Sequence, residues 1–271
     1  MYEEEAAIAA RETVEKAGPA VRVSDVSGVK LYLVGDSTVS PFNDPYYCPR
    51  YGYGTKIADY VENIGVVNLA LSGRSSKSFT TEANYRVLLD LLKKDDFLMI
   101  GFAHNDEKAE AARYTDPNGD KNAVGSFKNS LYENYLKIAF ERGAVPILCT
   151  PIVRRNAAGI YDGTFIHRTA GVPGFPGGDY AECIRRLGAE TGTTVVDLTL
   201  LTKSLYERLG PAGTLELHAR PGPEIAGVDN THLNAYGASY VAYLAVRAVG
   251  ESDNALKKYV RTDRAAPAEP S

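Results

Sequence analysis

The run Val29-Lys30-Leu31-Tyr32-Leu33-Val34, followed by Gly35-Asp36-Ser37-Thr38, indicates the architecture of this chain. The first part is a short, mainly apolar stretch between two glycines, which is typical of a strand buried on both faces. The second part is a polar turn that follows the strand directly. Because ligands of parallel sheets bind beyond the carboxyl ends of the strands, the Ser37 hydroxyl lies where chemistry is expected.

Four further runs of this kind follow along the chain, and helical patterns separate them. We predict strands at 65–71, 97–101, 145–149 and 194–198. We predict helices at 3–16, 54–63, 81–93, 125–142, 179–191, 199–209 and 234–249. Apolar strands that alternate with helices require a parallel sheet covered on both sides. The predicted fold is therefore α/β, with three α/β/α layers around a five-stranded parallel sheet.

The same pattern divides the chain into three parts. Residues 1–28 are predicted to be a helical extension and connector, 29–262 the domain itself, and 263–271 a disordered tail. Two long segments inside the domain, 104–124 and 150–178, are rich in Gly, Pro, Asn and Asp. Loops of that length in a compact domain are usually functional or mobile.

Length and composition exclude several classes of protein. The 271 residues include 44% hydrophobic and 24% charged ones, as in an ordinary globular protein. The net charge of −4, without a Lys/Arg-rich run, argues against nucleic acid as a partner, and no apolar stretch is long enough for a membrane span. The three cysteines lack metal-ligand spacing, and the acidic N-terminus is unlike an export signal. We therefore expect a cytoplasmic protein, or a secreted one if a signal has been removed.

Four polar blocks are informative, three of them after predicted strands and the fourth just before the last predicted helix. They are Gly35-Asp36-Ser37-Thr38, Asn68-Leu69-Ala70-Leu71-Ser72-Gly73-Arg74-Ser75, His104-Asn105-Asp106 and Asp229-Asn230-Thr231-His232-Leu233-Asn234. Each block alone is compatible with a turn or a helix cap. Their order and their common placement indicate a functional site.

In order and content, these blocks resemble the GDSL-type, or SGNH, hydrolase superfamily, whose blocks contribute Ser, Gly, Asn and His. The match extends from Gly35 to Asn234 and is most similar to the rhamnogalacturonan acetylesterase group, whose members remove acetyl groups from pectin-derived sugars. The resemblance implies a flavodoxin-like fold, in agreement with the strand and helix pattern. Two residues depart from the group, since Ala103 stands where Gly is usual and Tyr53 where relatives often carry Trp.

The residue types suit ester hydrolysis by a serine. Ser37 is the expected nucleophile, His232 the base that takes its proton, and Asp229 the carboxylate that orients the imidazole. The resemblance assigns the oxyanion hole to the Ser37 N–H, the Gly73 N–H and the Asn105 side-chain amide. This chemistry requires neither a metal nor an organic cofactor.

Substrate contacts are less defined by the sequence. Arg74, His104 and Tyr53 are candidate substrate-binding residues, although the sequence favours a surface role for Arg74 and leaves a structural role open for His104. The tyrosines between 46 and 53 could stack on sugar rings or be ordinary half-buried residues. The expected partner is an acetylated oligosaccharide derived from pectin, with acetylated xylan or a lipid as alternatives. Nothing in the sequence indicates the oligomeric state.

Two functions of other classes remain open. Five side chains near strand ends are of metal-ligand types, as in a two-metal phosphoesterase: Asp36, His104, Asp106, Asp229 and His232. That function would leave Ser37 and Gly73 unexplained. A carbohydrate-binding protein without turnover would keep the same fold, but it would have no need for the Ser, Asp and His set.

Overall fold

A computed structural model describes residues 28–42, 50–156, 172–220 and 227–269. Three features predicted above lie outside these residues. They are the helix at 3–16, the tyrosines at positions 46 and 47, and the central part of the 150–178 loop.

Five parallel strands form one sheet in the described part of the chain. They are β1 (Lys30–Gly35), β2 (Gly65–Asn68), β3 (Phe97–Gly101), β4 (Val145–Cys149) and β5 (Thr194–Val196). Their order across the sheet is β2-β1-β3-β4-β5, so the predicted five-stranded parallel sheet is confirmed. Two strands are shorter than predicted. β2 ends at Asn68, whose side-chain oxygen accepts a hydrogen bond from the Ala70 N–H. β5 ends at Val196, because the next residue, Asp197, is the N-cap of the following helix.

Six α-helices are described: α1 (Ala83–Leu91), α2 (Phe127–Leu131), α3 (Lys137–Arg142), α4 (Tyr180–Thr191), α5 (Leu198–Leu215) and α6 (Ala235–Glu251). A π-helical turn at Tyr132–Leu136 joins α2 to α3, and α5 is kinked at Gly210, directly before Pro211. Proline lacks the N–H that a continuous helix would need there. None of the described helices is both long enough and apolar enough to cross a membrane.

The strands bury side chains on both faces, which produces two apolar cores. Leu31, Leu33 and Met99 belong to the core that includes residues of α5 and α6. Tyr32 and Val34, which alternate with them along β1, belong to the core that includes residues of α1 to α4. Alternate residues of a strand point to opposite faces of a sheet, so helices cover both faces, as the three-layer prediction requires.

The predicted helix at 54–63 is wrong. This segment contains two 3-10 helices, Tyr53–Thr55 and Ile57–Asp59. Inside it, the N–H groups donate to carbonyls three residues earlier, as in 3-10 helices; these donors are Thr55, Lys56, Asp59 and Tyr60. Tertiary bonds flank these short turns, since the Tyr53 N–H donates to the Thr38 carbonyl and the Glu62 N–H donates to the Tyr259 carbonyl. Periodicity in the sequence does not report such partners.

The last described residues of the chain contact two helices. Residues 265–269, expected to be disordered, lie against α5 and α6. Glu269 Oε1 pairs with Arg208 Nη2 at 2.7 Å and accepts a hydrogen bond from the Tyr240 hydroxyl at 3.0 Å. The Tyr236 hydroxyl donates to the Ala268 carbonyl. Side chains on two helices therefore hold a segment whose composition is typical of disorder.

We expect Gly237, in the first turn of α6, to tolerate no side chain. A Cβ there would overlap the Leu217 carbonyl oxygen, which also accepts a hydrogen bond from the Asn234 N–H. Gly237→Ala should lower the free energy of unfolding by about 1–3 kcal/mol in urea denaturation, because the backbone must move.

Gly250→Ala, in the last turn of the same helix, is the matched control. A Cβ there would meet Val260 at 3.4 Å, which is an ordinary contact. This variant should be as stable as the parent or more stable by up to about 1 kcal/mol. Equal losses in the two variants would contradict the proposed clash.

Candidate active site

The fold brings together three side chains that are far apart in the sequence. His232 Nε2 lies 2.9 Å from Ser37 Oγ, and His232 Nδ1 lies 2.8 Å from Asp229 Oδ2. A carboxylate can only accept hydrogen bonds, so His232 Nδ1 carries a proton and donates a hydrogen bond to Asp229. Nε2 is therefore free to accept the hydrogen bond from the Ser37 hydroxyl.

The turn after β1 places Ser37. The Val39 and Ser40 N–H groups both donate to the Asp36 carbonyl, which closes a tight turn around the serine. The Asp36 carboxylate is buried, with Oδ1 accepting from the Thr38 N–H and hydroxyl and Oδ2 accepting from the His104 N–H at 3.2 Å. Burial raises the pKa of Asp36, although the hydrogen bonds from Thr38 oppose that change. Asp36 thus joins the serine turn to the loop after β3.

The Asp229 carboxylate is held by several partners. Its Oδ1 accepts hydrogen bonds from the Thr231 and His232 N–H groups, and Arg50 Nε lies 2.7 Å from its Oδ2. Burial alone would raise the pKa of this carboxyl, but its interactions with His232 and the charge of Arg50 hold the pKa well below its ordinary value. Asp229 is therefore ionised throughout the physiological range.

A second histidine supports the loop that carries Asp229 and His232. His218 Nδ1 lies 2.7 Å from the Asp229 carbonyl oxygen, and its Nε2 lies 2.6 Å from the Tyr206 hydroxyl. The carbonyl can only accept, so Nδ1 donates to it and Nε2 accepts from Tyr206. The Ala219 N–H also donates to the His232 carbonyl. These bonds attach the loop to the segment that follows α5.

The three expected oxyanion donors follow β1, β2 and β3. In the part of the chain that the structure describes, the Ser37 N–H, the Gly73 N–H and the Asn105 Nδ2 donate to no other protein group. Gly73 has a φ of +76°, a left-handed conformation that glycine adopts without strain. Buried or half-buried donors normally find partners. Three of them without a protein acceptor can serve an external oxygen atom.

The three candidate substrate contacts are buried side chains. Arg74 is 3% exposed and donates to Glu82 Oε1 at 2.9 Å and to the Ser72 carbonyl. His104 is 2% exposed, with Nε2 bonded to the Ile152 carbonyl. Tyr53 is 1% exposed and belongs to the core that also contains Cys149. Burial of all three side chains favours the structural role over contact with a substrate.

The metal-ligand interpretation lacks a suitable cluster among the described residues. No three His, Cys, Asp or Glu side chains lie together there as a metal site would require. The Asp106 carboxylate binds protein donors where a metal ligand would bind the ion. It accepts hydrogen bonds from the Ser76 N–H, the Ser76 hydroxyl and the Thr115 hydroxyl. Burial raises the pKa of Asp106 to about 7 against the effect of these donors.

Arg50 and His218 were not among the predicted site residues. Neither lies in one of the four polar blocks, and each reaches Asp229 only through tertiary contacts. An isolated arginine in a loop and an isolated histidine between apolar residues carry no local signal. Only their positions in the folded chain reveal them.

Comparison with known proteins gives consistent similarities. A family model described as GDSL-like Lipase/Acylhydrolase matches residues 31–245. The rhamnogalacturonan acetylesterase RhgT of Bacillus subtilis is 29% identical over 243 residues, which cover 86% of this chain and 94% of the relative. A rhamnogalacturonan acetylesterase of Emericella nidulans is 29% identical over 245 residues, covering 86% of this chain and 90% of the relative.

A solved structure agrees in fold. The crystal structure of a catalytic mutant of an acetylxylan esterase from Geobacillus stearothermophilus has a TM-score of 0.54 at 20% identity. The similarity covers 83% of this chain and 95% of that chain. It supports the three-layer α/β/α architecture described above.

We expect His218 to make the domain sensitive to acid. Burial lowers the pKa of His218 from 6.5 to about 4. Between these values the unfolded chain binds a proton that the folded protein does not bind. Stability is therefore complete above pH 6.5 and falls as the pH decreases toward 4. At pH 5 the loss from this group should be about 2 kcal/mol.

The free energy of unfolding of the parent and of His218→Gln, measured at pH 7 and pH 5, checks this expectation. The variant lacks the titrating group, so its loss between the two pH values should be smaller by about 2 kcal/mol. A pKa near 6.5 for His218 in NMR titration of the folded protein would contradict it.

Proposed function

Because the chain belongs to the GDSL-like lipase/acylhydrolase family, and is thus a carboxylic ester hydrolase, we propose that it removes O-acetyl groups from carbohydrate. The proposed substrates are pectin-derived rhamnogalacturonan oligosaccharides, and the proposed route is an acyl-serine intermediate. The observation that carries the mechanism is the hydrogen-bonded row from Ser37 Oγ through the His232 imidazole to the Asp229 carboxylate.

In the proposed first step, Ser37 Oγ attacks the acetyl carbonyl carbon while its proton moves to His232 Nε2. Asp229 stabilises the imidazolium that forms and keeps the ring in the required tautomer. The carbonyl oxygen becomes an oxyanion, and the N–H groups of Ser37 and Gly73 together with Asn105 Nδ2 donate to it. Each such donor is typically worth about 3–4 kcal/mol of transition-state stabilisation.

The tetrahedral intermediate then breaks its bond to the sugar oxygen. His232 returns the proton to that oxygen, so the sugar leaves as an alcohol and the acetyl group stays on Ser37. A water molecule attacks the acetyl-serine with His232 again as the base. Ser37 recovers its proton from His232, and acetic acid leaves and ionises to acetate and a proton in solution. Protons and electrons balance with water as the only co-reactant.

The carbohydrate assignment rests on two observations. The two relatives described above are rhamnogalacturonan acetylesterases and align with most of this chain. In addition, the Phe42 ring packs edge-on against the His232 ring, with centroids 5.9 Å apart, and is half-buried beside this proposed base. An aromatic surface at that place suits the apolar face of a sugar.

Replacement of the proposed nucleophile tests the mechanism. Ser37→Ala should lower kcat for acetate release by about 10⁴-fold or more, because no other group can form the acyl intermediate. Its melting temperature should stay close to that of the parent, since one hydroxyl is lost. Ser204→Ala, on the exposed surface of α5, is the matched control and should keep full activity. Retention of a tenth of the activity by Ser37→Ala would refute the serine mechanism.

A panel of esters tests the substrate. Acetylated rhamnogalacturonan oligosaccharides should give the highest kcat/KM for acetate release, above acetylated xylooligosaccharides and 4-nitrophenyl esters of long acyl chains. A preference for another member of the panel would replace the pectin assignment. Chelation with EDTA should leave the rate unchanged, whereas a loss that a divalent metal restores would favour the metal-dependent alternative.

A further inference from the structure

One side chain contacts both residues that contribute the outer donors of the proposed oxyanion hole. Arg113 Nη1 lies 3.2 Å from Asn105 Oδ1 and 3.4 Å from the Gly73 carbonyl oxygen. Arg113 belongs to the long segment 104–124 and was not among the predicted site residues. Its two contacts join the loop after β2 to the loop after β3.

The strand order explains why such a contact is needed. β2 and β3 are not neighbours, because β1 lies between them in the sheet. Neighbouring strands are about 4.8 Å apart, so β2 and β3 are separated by about twice that distance. No backbone hydrogen bonds between these two strands fix the position of Gly73 relative to Asn105. Asp106 joins the same two loops through Ser76. Unlike Asp106, Arg113 hydrogen-bonds directly to Gly73 and Asn105, the two residues that contribute the donors.

The chemistry of arginine determines which way the Asn105 amide faces. A guanidinium group can only donate, so the amide oxygen must point toward Arg113 and the NH₂ group must point away from it. The opposite orientation has nearly the same shape but would present an oxygen atom to the oxyanion. The positive charge also polarises the amide, which strengthens its N–H as a donor.

Arg113 is itself held in place. Its Nε donates to Glu110 Oε2 at 2.9 Å and its Nη2 donates to Glu110 Oε1 at 2.5 Å. The Arg113 N–H also donates to the Glu110 carbonyl. Two parallel hydrogen bonds restrict the plane of a guanidinium group. The Arg113 side chain is 24% exposed, so this pair orders a group at the rim of the site.

We propose that Arg113 is a positioning residue of the oxyanion hole, which orients and polarises the Asn105 amide and restrains the Gly73 loop. This inference rests on the proposed function, since it assumes an oxyanion at that place. The oxyanion exists only during reaction, so Arg113 acts on the transition state. Its loss lowers kcat and leaves KM nearly unchanged.

Hydrolysis of 4-nitrophenyl acetate tests the proposal, because this ester requires the serine and the oxyanion hole but no sugar site. Arg113→Met keeps a long side chain without donors, and kcat should decrease by about 10- to 100-fold, less than for complete loss of a donor. KM should change by less than about threefold. Arg113→Lys keeps the charge and one donor position, so it should recover part of kcat. Arg186→Met is the control, since Arg186 on α4 makes a similar pair with Glu182 and is exposed.

A double-mutant cycle with Asn105→Ala separates positioning from a general structural role. If Arg113 acts through Asn105, Arg113→Met should reduce kcat of the Asn105→Ala protein by less than about threefold. An undiminished effect in that background, an unchanged kcat of Arg113→Met, or a change in KM alone would overturn the proposal. Should Arg113→Met fail to fold, Glu110→Gln and Arg113→Lys take its place. An unchanged kcat in both would then overturn it.

The same assay keeps the two proposals distinct. If Ser37→Ala hydrolyses 4-nitrophenyl acetate as fast as the parent, the serine mechanism fails, whatever the Arg113 variants do. If Ser37 is required but acetylated oligosaccharides are not hydrolysed, the carbohydrate assignment fails. The cycle between Arg113 and Asn105 remains valid in that case.

Discussion

The buried carboxylate of Asp229 is the group around which the candidate site is organised. Two backbone N–H groups, the His232 imidazole and Arg50 all meet its two oxygen atoms. A charge removed from water is tolerated only where donors and an opposite charge replace its hydration. The same contacts that satisfy this charge therefore determine the path of the loop and the orientation of the imidazole toward Ser37.

The sheet provides the frame in which these contacts form. β1 lies between β2 and β3, and the strand order reverses between β1 and β3. In open sheets of this kind, ligands bind beyond the strand ends at such a point. The serine turn, with one proposed oxyanion donor, follows β1, and the other two donors follow β2 and β3. Helices cover both faces of the sheet. Hydrogen bonds between loops, such as that from the His104 N–H to Asp36, complete the arrangement.

Errors in the sequence-based predictions have a common physical origin. The segment at 54–63 was predicted to be one helix, but it contains two short 3-10 turns, flanked by tertiary backbone bonds from Tyr53 to Thr38 and from Glu62 to Tyr259. Arg74 was expected at the surface or against substrate. It is buried because the short helix Ser78–Thr81 brings Glu82 back to its guanidinium group. In each case a partner outside the local window determines the structure, and neither periodicity nor residue type reports such a partner.

Local pattern alone was sufficient for the strands apolar on both faces, the resulting parallel sheet, and the four polar blocks, three after strands and one before the last helix. These features depend on hydrophobic burial and turn chemistry, which act over a few residues and leave a trace in their order. The partners of Asp229, the orientation of the Asn105 amide and the burial of Tyr53 depend on groups that meet only after folding. Arg50, His218 and Arg113 reach the site through such contacts, because a hydrogen bond depends on distance in space and carries no signature along the chain.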